Sequence, residues 1–211
     1  MEIIYFEELE STQKYLCEKI KNNEININTA IIANKQTNGI GSRENSWQSK
    51  EGNLHFSFCL KIDDLPKDLP LASCSIYFAF LMKEILSEYG SKIWLKWPND
   101  FYIDDKKIGG LMSSKINDFL VVGLGLNLVY APCKAQVLDI NIDTTELLKE
   151  YFTSIQKKQS WKNIFSKYML EFEKSRKFFI HYDGKLLSLD NALLYKDGSI
   201  LLDNKRIYSL R

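Results

Sequence analysis

The alternation of apolar and polar residues indicates where the chain forms strands. In residues 53–62, "NLHFSFCLKI", the apolar Leu54, Phe56, Phe58 and Leu60 alternate with polar or small residues, which predicts a half-buried antiparallel strand. The stretches "EIIYFEELE" and "TAIIAN" are also typical of strands. Further along, Asp- and Asn-containing turns separate "KIWLKW", "DFYIDDKKIGGLMSSKI" and "DFLVVGLGLNLVY", so we expect consecutive hairpins there.

Other segments follow the helical period. Ser11 is a good N-cap for the amphipathic segment "STQKYLCEKIKNN". "LPLASCSIYFAFLMKEILSEYG" is apolar along most of its length, with Pro70 near its start and Gly90 just past its end, and this predicts a mostly buried helix. Residues 144–179 contain two amphipathic helical patterns.

The tail, "KLLSLDNALLYKDGSILLDNKRIYSLR", returns to short strands separated by Asp-Asn and Asp-Gly turn signals. The 211 residues, 45% of them hydrophobic, are enough for one main domain with a sizeable core. We therefore expect an α+β protein with a mixed, largely antiparallel sheet backed by helices. Residues 1–177 are predicted to form the main domain and residues 178–211 a small β domain.

The composition excludes several classes of protein. With 28 basic and 27 acidic residues there is no basic excess for a nucleic-acid surface, so no DNA partner is expected. The four cysteines lie far apart without a C-x-x-C pair, which favours small buried thiols over a zinc site or disulfides. The charged N-terminus is no signal peptide, and no apolar run reaches the roughly 20 residues of a membrane span. A cytoplasmic protein without a membrane partner is predicted.

Two loops carry candidate chemistry. Gly39 and Gly41 follow a predicted strand and let backbone N–H groups approach a ligand, although a plain tight loop has the same G-x-G pattern. In "KWPND", residues 96–100, the amide of Asn99 and the carboxylate of Asp100 could serve a nucleotide and a hydrated Mg²⁺. The alternative for this motif is an ordinary turn at Pro98.

Two strands carry the other candidates. Lys107 is either a solvated residue of a hairpin tip or an inward-pointing cation for a phosphate or carboxylate. The pair Gly109–Gly110 beside it implies a bulge or a large group packed on the backbone. Gly123 and Gly125 share one face of a strand and could form a flat pocket wall. Because these features lie on neighbouring hairpins, we expect them to converge on one face of a sheet.

At this point the residues resemble a known family. "EST" before a helix, "KQTNGIGSRENSW", "NLHFSF", "KWPNDFYIDDKKIGGLM" and "VVGLGLNL" are similar, in order and spacing, to the catalytic domain of biotin protein ligases over about residues 1–130. The tail resembles the family's small SH3-like C-terminal domain. The resemblance implies a class II synthetase-like fold and ATP-dependent transfer of biotin, through biotinyl-5′-AMP, to a lysine of a biotin carboxyl carrier domain. Mg²⁺ accompanies ATP, acetyl-CoA carboxylase is the implied carrier, and a homodimer is suggested.

The resemblance also assigns residues. Lys107 matches the catalytic lysine, and Asp100 is a candidate ligand of the Mg²⁺ on the ATP phosphates. The positions implied for biotin binding are Ser11, Thr12, Gln13, Gln36, Gly39, Ile40, Gly41, Ser42, Lys107, Gly110, Gly123 and Gly125. The positions implied for ATP or adenylate are Arg43, Trp47, Asn99, Asp100, Lys107 and Asn127.

The chain departs from the family pattern in two places. Gln13 replaces an asparagine, and in the loop that the family writes G-R-G-R-x-G-R-x-W, Ile40, Ser42 and Asn45 stand at the arginine positions. Arg43 is the remaining cation of that loop, so we expect biotinyl-AMP to be retained less firmly. "EST" begins at residue 10, which leaves no room for a preceding DNA-binding domain and favours a ligase that is not a repressor. A lipoate–protein ligase and a non-catalytic biotin- or nucleotide-binding module are the alternatives.

Overall fold

The chain forms helices and strands in the predicted order. A computed structural model describes residues 1–41 and 46–209. The strands of the first 130 residues are β1 Glu2–Leu9, β2 Thr29–Gln36, β3 Gly39–Ile40, β4 Ser46–Trp47, β5 Leu54–Lys61, β6 Trp94–Lys96, β7 Asp100–Ile103, β8 Lys106–Ile116 and β9 Phe119–Leu126. The helices are α1 Thr12–Lys21, α2 Cys74–Glu88, α3 Thr144–Gln156 and α4 Trp161–Phe172. Short 3₁₀ turns occur at Ile62–Asp64, Leu71–Ser73 and Glu173–Lys177.

Seven strands form the central sheet in the order β1-β2-β5-β9-β8-β7-β6. Among the described strands of this sheet, only β1 and β2 run parallel, and α1 is the crossover between them. All other neighbours in this sheet are antiparallel, and β6 to β9 form the expected consecutive hairpins. The predicted mixed, largely antiparallel sheet is confirmed.

Helices cover both faces of this sheet. On one face, α1 packs over a small core that includes Leu16, Ile20, Ile31 and Val121. Ser11 caps this helix as predicted, because its hydroxyl accepts a hydrogen bond from the backbone N–H of Lys14 at 3.4 Å. The opposite face carries the main core, to which α2, α3 and α4 contribute.

Strand β5 differs from its prediction. Its residues from Leu54 to Leu60 are all buried, so the expectation of a half-buried strand was wrong. On one face Phe56 and Phe58 pack edge-to-face on Tyr151 of α3. The polar face is covered as well, because α1 packs over it. A sequence with one apolar and one polar face can therefore be buried on both sides, and on the polar face the Ser57 hydroxyl bonds to the hydroxyl of Thr12 in α1.

Two small sheets follow the main domain. β10 Phe179–Tyr182 pairs with β11 Lys185–Ser188, and β12 Leu193–Leu194, β13 Ile200–Leu202 and β14 Lys205–Ile207 form a three-stranded sheet. The predicted small C-terminal β unit is thus confirmed. The domain boundary between residues 177 and 178 stays a prediction.

The four cysteines are free thiols. Cys59 and Cys74 are buried and Cys17 is partly buried, but Cys133 is exposed, so the expectation of buried thiols was wrong for Cys133. Within residues 1–41 and 46–209, no helix is long and apolar enough to cross a membrane.

Candidate active site

A small cavity lies where the N-terminus of α1 meets the middle of the sheet. Its walls are the start of α1, the end of β2, the β3–β4 hairpin and the facing parts of β5, β8 and β9, together with Asp100 at the start of β7. The cavity volume is about 50 Å³. Pockets for small molecules enclose roughly 300–1,000 Å³, so the cavity in this structure is smaller than a typical small-molecule site. We call this hairpin, residues 39–41 together with 46–47, the lid.

One end of the cavity is a buried polar cluster. The backbone N–H and the hydroxyl of Thr12 donate to Oε1 of Gln36 at 2.8 and 3.2 Å. The Thr12 hydroxyl also lies 2.8 Å from the hydroxyl of Ser57 on β5. These three residues are at most 9% exposed, so their remaining hydrogen-bonding capacity is directed into the cavity and not into bulk water. The Gln36 amide nitrogen is directed towards the lid, 3.0 Å from where a Cβ on Gly39 would lie.

Gln13 adds an open acceptor to this end. Its Nε2 donates to the hydroxyl of Ser114 at 3.3 Å, while its Oε1 is buried and has no hydrogen-bond partner among the described residues. A Cβ on Gly123 would lie 2.6 Å from this oxygen, so the Gln13 amide fits here because residue 123 has no side chain. A buried carbonyl oxygen without a partner is costly, and a ligand N–H donor would relieve that cost.

Glycines form the floor of the cavity. Gly125 lies under the indole of Trp47 from the lid, because a Cβ there would be 2.8 Å from the ring. Gly110 lies beside the charged groups: a Cβ there would be 3.3 Å from Oδ1 of Asp100 and 3.5 Å from Nζ of Lys107. The flat wall predicted from the glycine pattern is therefore present, and its lack of side chains lets a ligand approach the sheet backbone.

The other end of the cavity carries charge. Nζ of Lys107 lies 2.6 Å from Oδ1 of Asp100 and 6.0 Å from the centre of the Trp47 ring. Of the two alternatives for Lys107, the inward-pointing cation is the one observed, with a side chain 36% exposed. Lys96 approaches the other carboxylate oxygen of Asp100 at 3.9 Å and lies against the ring of Tyr102. Burial, with a smaller contribution from the Asp100 carboxylate, raises the pKa of the Tyr102 phenol.

Among the described residues, Asp100 is the candidate protein ligand for a magnesium ion. Within residues 1–41 and 46–209, no group of three or more His, Cys, Asp or Glu side chains could hold a metal. Asp100 is a single carboxylate already paired with Lys107. Such a site suits a hydrated Mg²⁺ that arrives on phosphates and takes at most one protein ligand, since Mg²⁺ dehydrates reluctantly.

Two predicted nucleotide contacts lie outside the cavity. The Asn99 amide donates to the backbone carbonyl of Leu111, and Leu111 donates back to the Asn99 carbonyl at 2.9 Å, so Asn99 ties the turn to β8. Asn127 donates from its side chain to the carbonyl of Gln136 at 3.3 Å, which leaves its buried Oδ1 without a partner among the described residues. The predicted site residues Ser42 and Arg43 lie outside the described residues, as does Asn45.

Sequence reasoning missed one residue of the cavity and one that holds the chain after β9. Ser57 completes the polar cluster, and the only signal for it was its place on the polar face of β5. Asn53 holds the chain after β9, because its Oδ1 accepts from the backbone N–H groups of residues 128, 129 and 130 at 2.9, 2.9 and 3.1 Å. No local pattern marks an asparagine that bonds to residues about 75 positions away.

A comparison with known families shows which family the chain belongs to. A sequence model described as "Biotin/lipoate A/B protein ligase family" matches residues 5–127, which is more than half of the chain and includes every cavity-lining residue. The chain belongs to the biotin/lipoate A/B protein ligase family. The resemblance to biotin protein ligases is thereby confirmed at the level of the family.

Individual members of the family point to its biotin branch. The chain is 30% identical over 138 residues to the bifunctional ligase/repressor BirA of Escherichia coli, an alignment that covers 62% of this chain and 42% of BirA. It therefore spans about two fifths of the length of that relative. The structure of a biotin acetyl coenzyme A carboxylase synthetase from Helicobacter pylori, with bound biotinylated ATP, superposes with a TM-score of 0.93 at 42% identity and covers 98% of this chain and 99% of that one. A biotin protein ligase from Aquifex aeolicus in complex with biotin and ATP superposes with a TM-score of 0.73 at 25% identity, covering 100% and 96%.

Proposed function

We propose that the protein is a biotin–protein ligase. It uses ATP to convert biotin to biotinyl-5′-AMP and then transfers biotin to a lysine of a biotin carboxyl carrier domain, with acetyl-CoA carboxylase as the carrier. The observation that carries the proposal is the arrangement of one cavity, closed at one end by buried polar groups and bearing Lys107 at the other. Biotin has the same polarity, with a ureido ring at one end and a carboxylate at the other.

The polar end favours biotin over lipoate. A ureido ring offers two N–H donors and one carbonyl acceptor, and the open Oε1 of Gln13 together with the hydroxyls of Thr12 and Ser57 can satisfy them. The dithiolane ring of lipoate has no donor, so it would leave these buried groups unpaired. A site built to hydrogen-bond a ligand discriminates strongly against an analogue that lacks the bonding groups.

The charged end suits the first chemical step. In that step a carboxylate oxygen of biotin attacks the α-phosphorus of ATP, the bond to the β-phosphate oxygen breaks, and pyrophosphate leaves. Two anions must approach one another, and the ammonium of Lys107 can offset their repulsion and the charge that develops on the phosphate. A Mg²⁺ bound to the phosphates supplies further neutralisation.

The ion pair with Asp100 defines how Lys107 becomes available. At 2.6 Å the ammonium is held at the edge of the cavity by a carboxylate that Lys96 also approaches. When substrate oxygens enter, Lys107 can turn towards them while Lys96 continues to neutralise Asp100. In the second step the amine of the carrier lysine attacks the biotinyl carbonyl carbon, forms an amide and releases AMP.

The remaining parts of the proposal rest on the family. A relative from Mycobacterium tuberculosis, 27% identical over 123 residues, carries the name biotin–[acetyl-CoA-carboxylase] ligase, which supports this carrier. A cytoplasmic location, a homodimer and the lack of a DNA partner are proposed on the resemblance and the even charge balance.

Pyrophosphate release is the decisive assay. With biotin and ATP, the wild type is expected to release pyrophosphate and Lys107→Ala to lose at least about 100-fold in rate, as removal of a transition-state charge contact does. Lys107→Arg keeps the charge and serves as the matched control, with an intermediate rate. Biotin, but not lipoate, should label a carrier domain. Labelling with lipoate alone would favour a lipoate ligase, and equal inertness of the wild type and Lys107→Ala would favour a binding module.

A further inference from the structure

Trp97 connects the turn that carries Asp100 to the C-terminal unit. The residue lies in "KWPND" between β6 and β7 and is 1% exposed. Its indole N–H donates to the backbone carbonyl of Gly198 at 2.8 Å, across 101 residues of sequence. Its backbone N–H donates to the hydroxyl of Ser175 at 3.0 Å, in the 3₁₀ turn that precedes the C-terminal strands. Trp97 is therefore held from two sides by groups outside the sheet.

The partner of Trp97 is a well-fixed turn, residues 195–198, which joins β12 to β13. Gly198 donates to the carbonyl of Tyr195 at 2.9 Å and has a φ of +73°. A Cβ on Gly198 would lie 2.7 Å from Cδ1 of Ile76 on α2, so only glycine allows this close approach. The hydroxyl of Ser73 donates to the carbonyl of residue 197. The turn is thus bonded to the α2 region as well as to Trp97.

A second tryptophan bonds to the same turn from a different element. The indole N–H of Trp161, the first residue of α4, donates to the carbonyl of Lys196 at 2.8 Å. The two tryptophans make the same kind of bond at the same distance, two residues apart on the turn. Trp161 lies on a helix that does not line the cavity, whereas Trp97 is three residues before Asp100. If residues 195–198 only attached the C-terminal unit, no acceptor would need to face the turn that carries Asp100.

We propose that the turn at residues 195–198 is a positioning element for the Asp100–Lys107 pair and acts through Trp97. Its role in catalysis rests on the proposed ligase function. A buried indole N–H needs its acceptor, so the Gly198 carbonyl fixes the indole, and the indole fixes the short connection that ends at Asp100. Before substrate enters, Asp100 in turn holds Lys107 at 2.6 Å, so its position sets where Lys107 starts. Displacements near 1 Å at such a site cost up to about 100-fold in rate, so this connection controls adenylate formation.

The test compares Trp97→Phe with Trp161→Phe. Each variant keeps an aromatic ring, removes one indole N–H and leaves one carbonyl of the same turn without its donor. For Trp97→Phe we expect the KM for ATP to rise about tenfold and the rate of pyrophosphate release to fall, while biotin affinity stays within about twofold. For Trp161→Phe all three quantities should stay within about twofold at a similar loss of thermal stability. Equal kinetic effects in the two variants would overturn the proposal. The bond from Trp97 to Gly198 would then only hold the C-terminal unit in place.

A readout without catalysis separates this inference from the proposed function. Hydrogen exchange of residues 94–103 should become about fivefold faster in Trp97→Phe and remain unchanged in Trp161→Phe. Ser175→Ala, a milder change that removes the acceptor of the Trp97 backbone N–H, should shift exchange in the same direction. If the wild type released no pyrophosphate, the ligase proposal would fall, and exchange would still decide the positioning role. Unchanged exchange in both Trp97→Phe and Ser175→Ala would refute it.

Discussion

Replacement of Gly125 by alanine tests whether the glycine floor exists for the ligand or for the fold. A Cβ on Gly125 would lie 2.8, 2.9 and 3.0 Å from Cε2, Nε1 and Cζ2 of Trp47, and ordinary contact begins at 3.4 Å. The indole must therefore retreat by at least about 0.6 Å, the difference between 3.4 and 2.8 Å. Trp47 belongs to the lid, whose described residues pair at Gly39–Trp47 and Ile40–Ser46, so we expect the lid to yield.

The magnitudes follow from that geometry. Alanine in place of a strand glycine gains about 0.5–1 kcal/mol because the unfolded chain loses freedom, and this offsets much of the cost of moving the lid. We expect the free energy of unfolding to change by less than about 1 kcal/mol. An added methyl group in a filled site costs about 1–3 kcal/mol, so biotin affinity should fall about 10- to 100-fold.

Gly109 is the matched control, since it lies on β8 with its missing side chain directed at the core. A Cβ there would lie 2.5 Å from the backbone oxygen of Gly125 and 2.6 Å from Cδ2 of the buried Leu126. The backbone of the central sheet cannot move aside as the lid can. Gly109→Ala should therefore lower the free energy of unfolding by about 1–3 kcal/mol. Its main effect is thus on stability.

Calorimetric titration with biotin and urea denaturation measure the two quantities. The reasoning predicts a crossed pattern, with binding lost in Gly125→Ala and stability lost in Gly109→Ala. Wild-type biotin affinity in Gly125→Ala would refute it, as would a loss of stability in Gly125→Ala equal to that in Gly109→Ala.

Three further predictions address other parts of the chain. Asn53→Ala should lower the free energy of unfolding by about 2–4 kcal/mol in urea, because three backbone N–H groups lose their acceptor, while Asn53→Asp keeps that acceptor and should lose less. Burial lowers the pKa of His55 to about 4, so the unfolded state binds more protons below pH 6.5 and stability should fall by about 3 kcal/mol between pH 6.5 and 4; a His55→Leu variant with the same pH dependence would contradict this. Ser42→Arg should slow dissociation of biotinyl-AMP by adding a charge-assisted phosphate contact, and an unchanged rate would remove the loop's missing arginines as the cause of weak retention.

Local patterns determined the elements and the places where chemistry could sit. Alternation and turn residues predicted the strands and hairpins, and Ser11 marked the start of α1. Gly123 and Gly125 were expected on one wall, and both line the cavity. These features were predictable because strand alternation, capping and turn formation depend on neighbours within a few residues.

Only the tertiary structure decided how those pieces meet. Thr12 bonds to Gln36 and Ser57 across 24 and 45 residues, and Trp97 bonds to Gly198 across 101. Sequence alone left open whether Lys107 was solvated, and it assigned to β5 a solvent-exposed face that α1 covers. Such contacts depend on which faces of distant elements are packed together, and a pattern along the chain does not contain that information. The polar face of β5 became one end of the cavity because the fold placed the N-terminus of α1 over it.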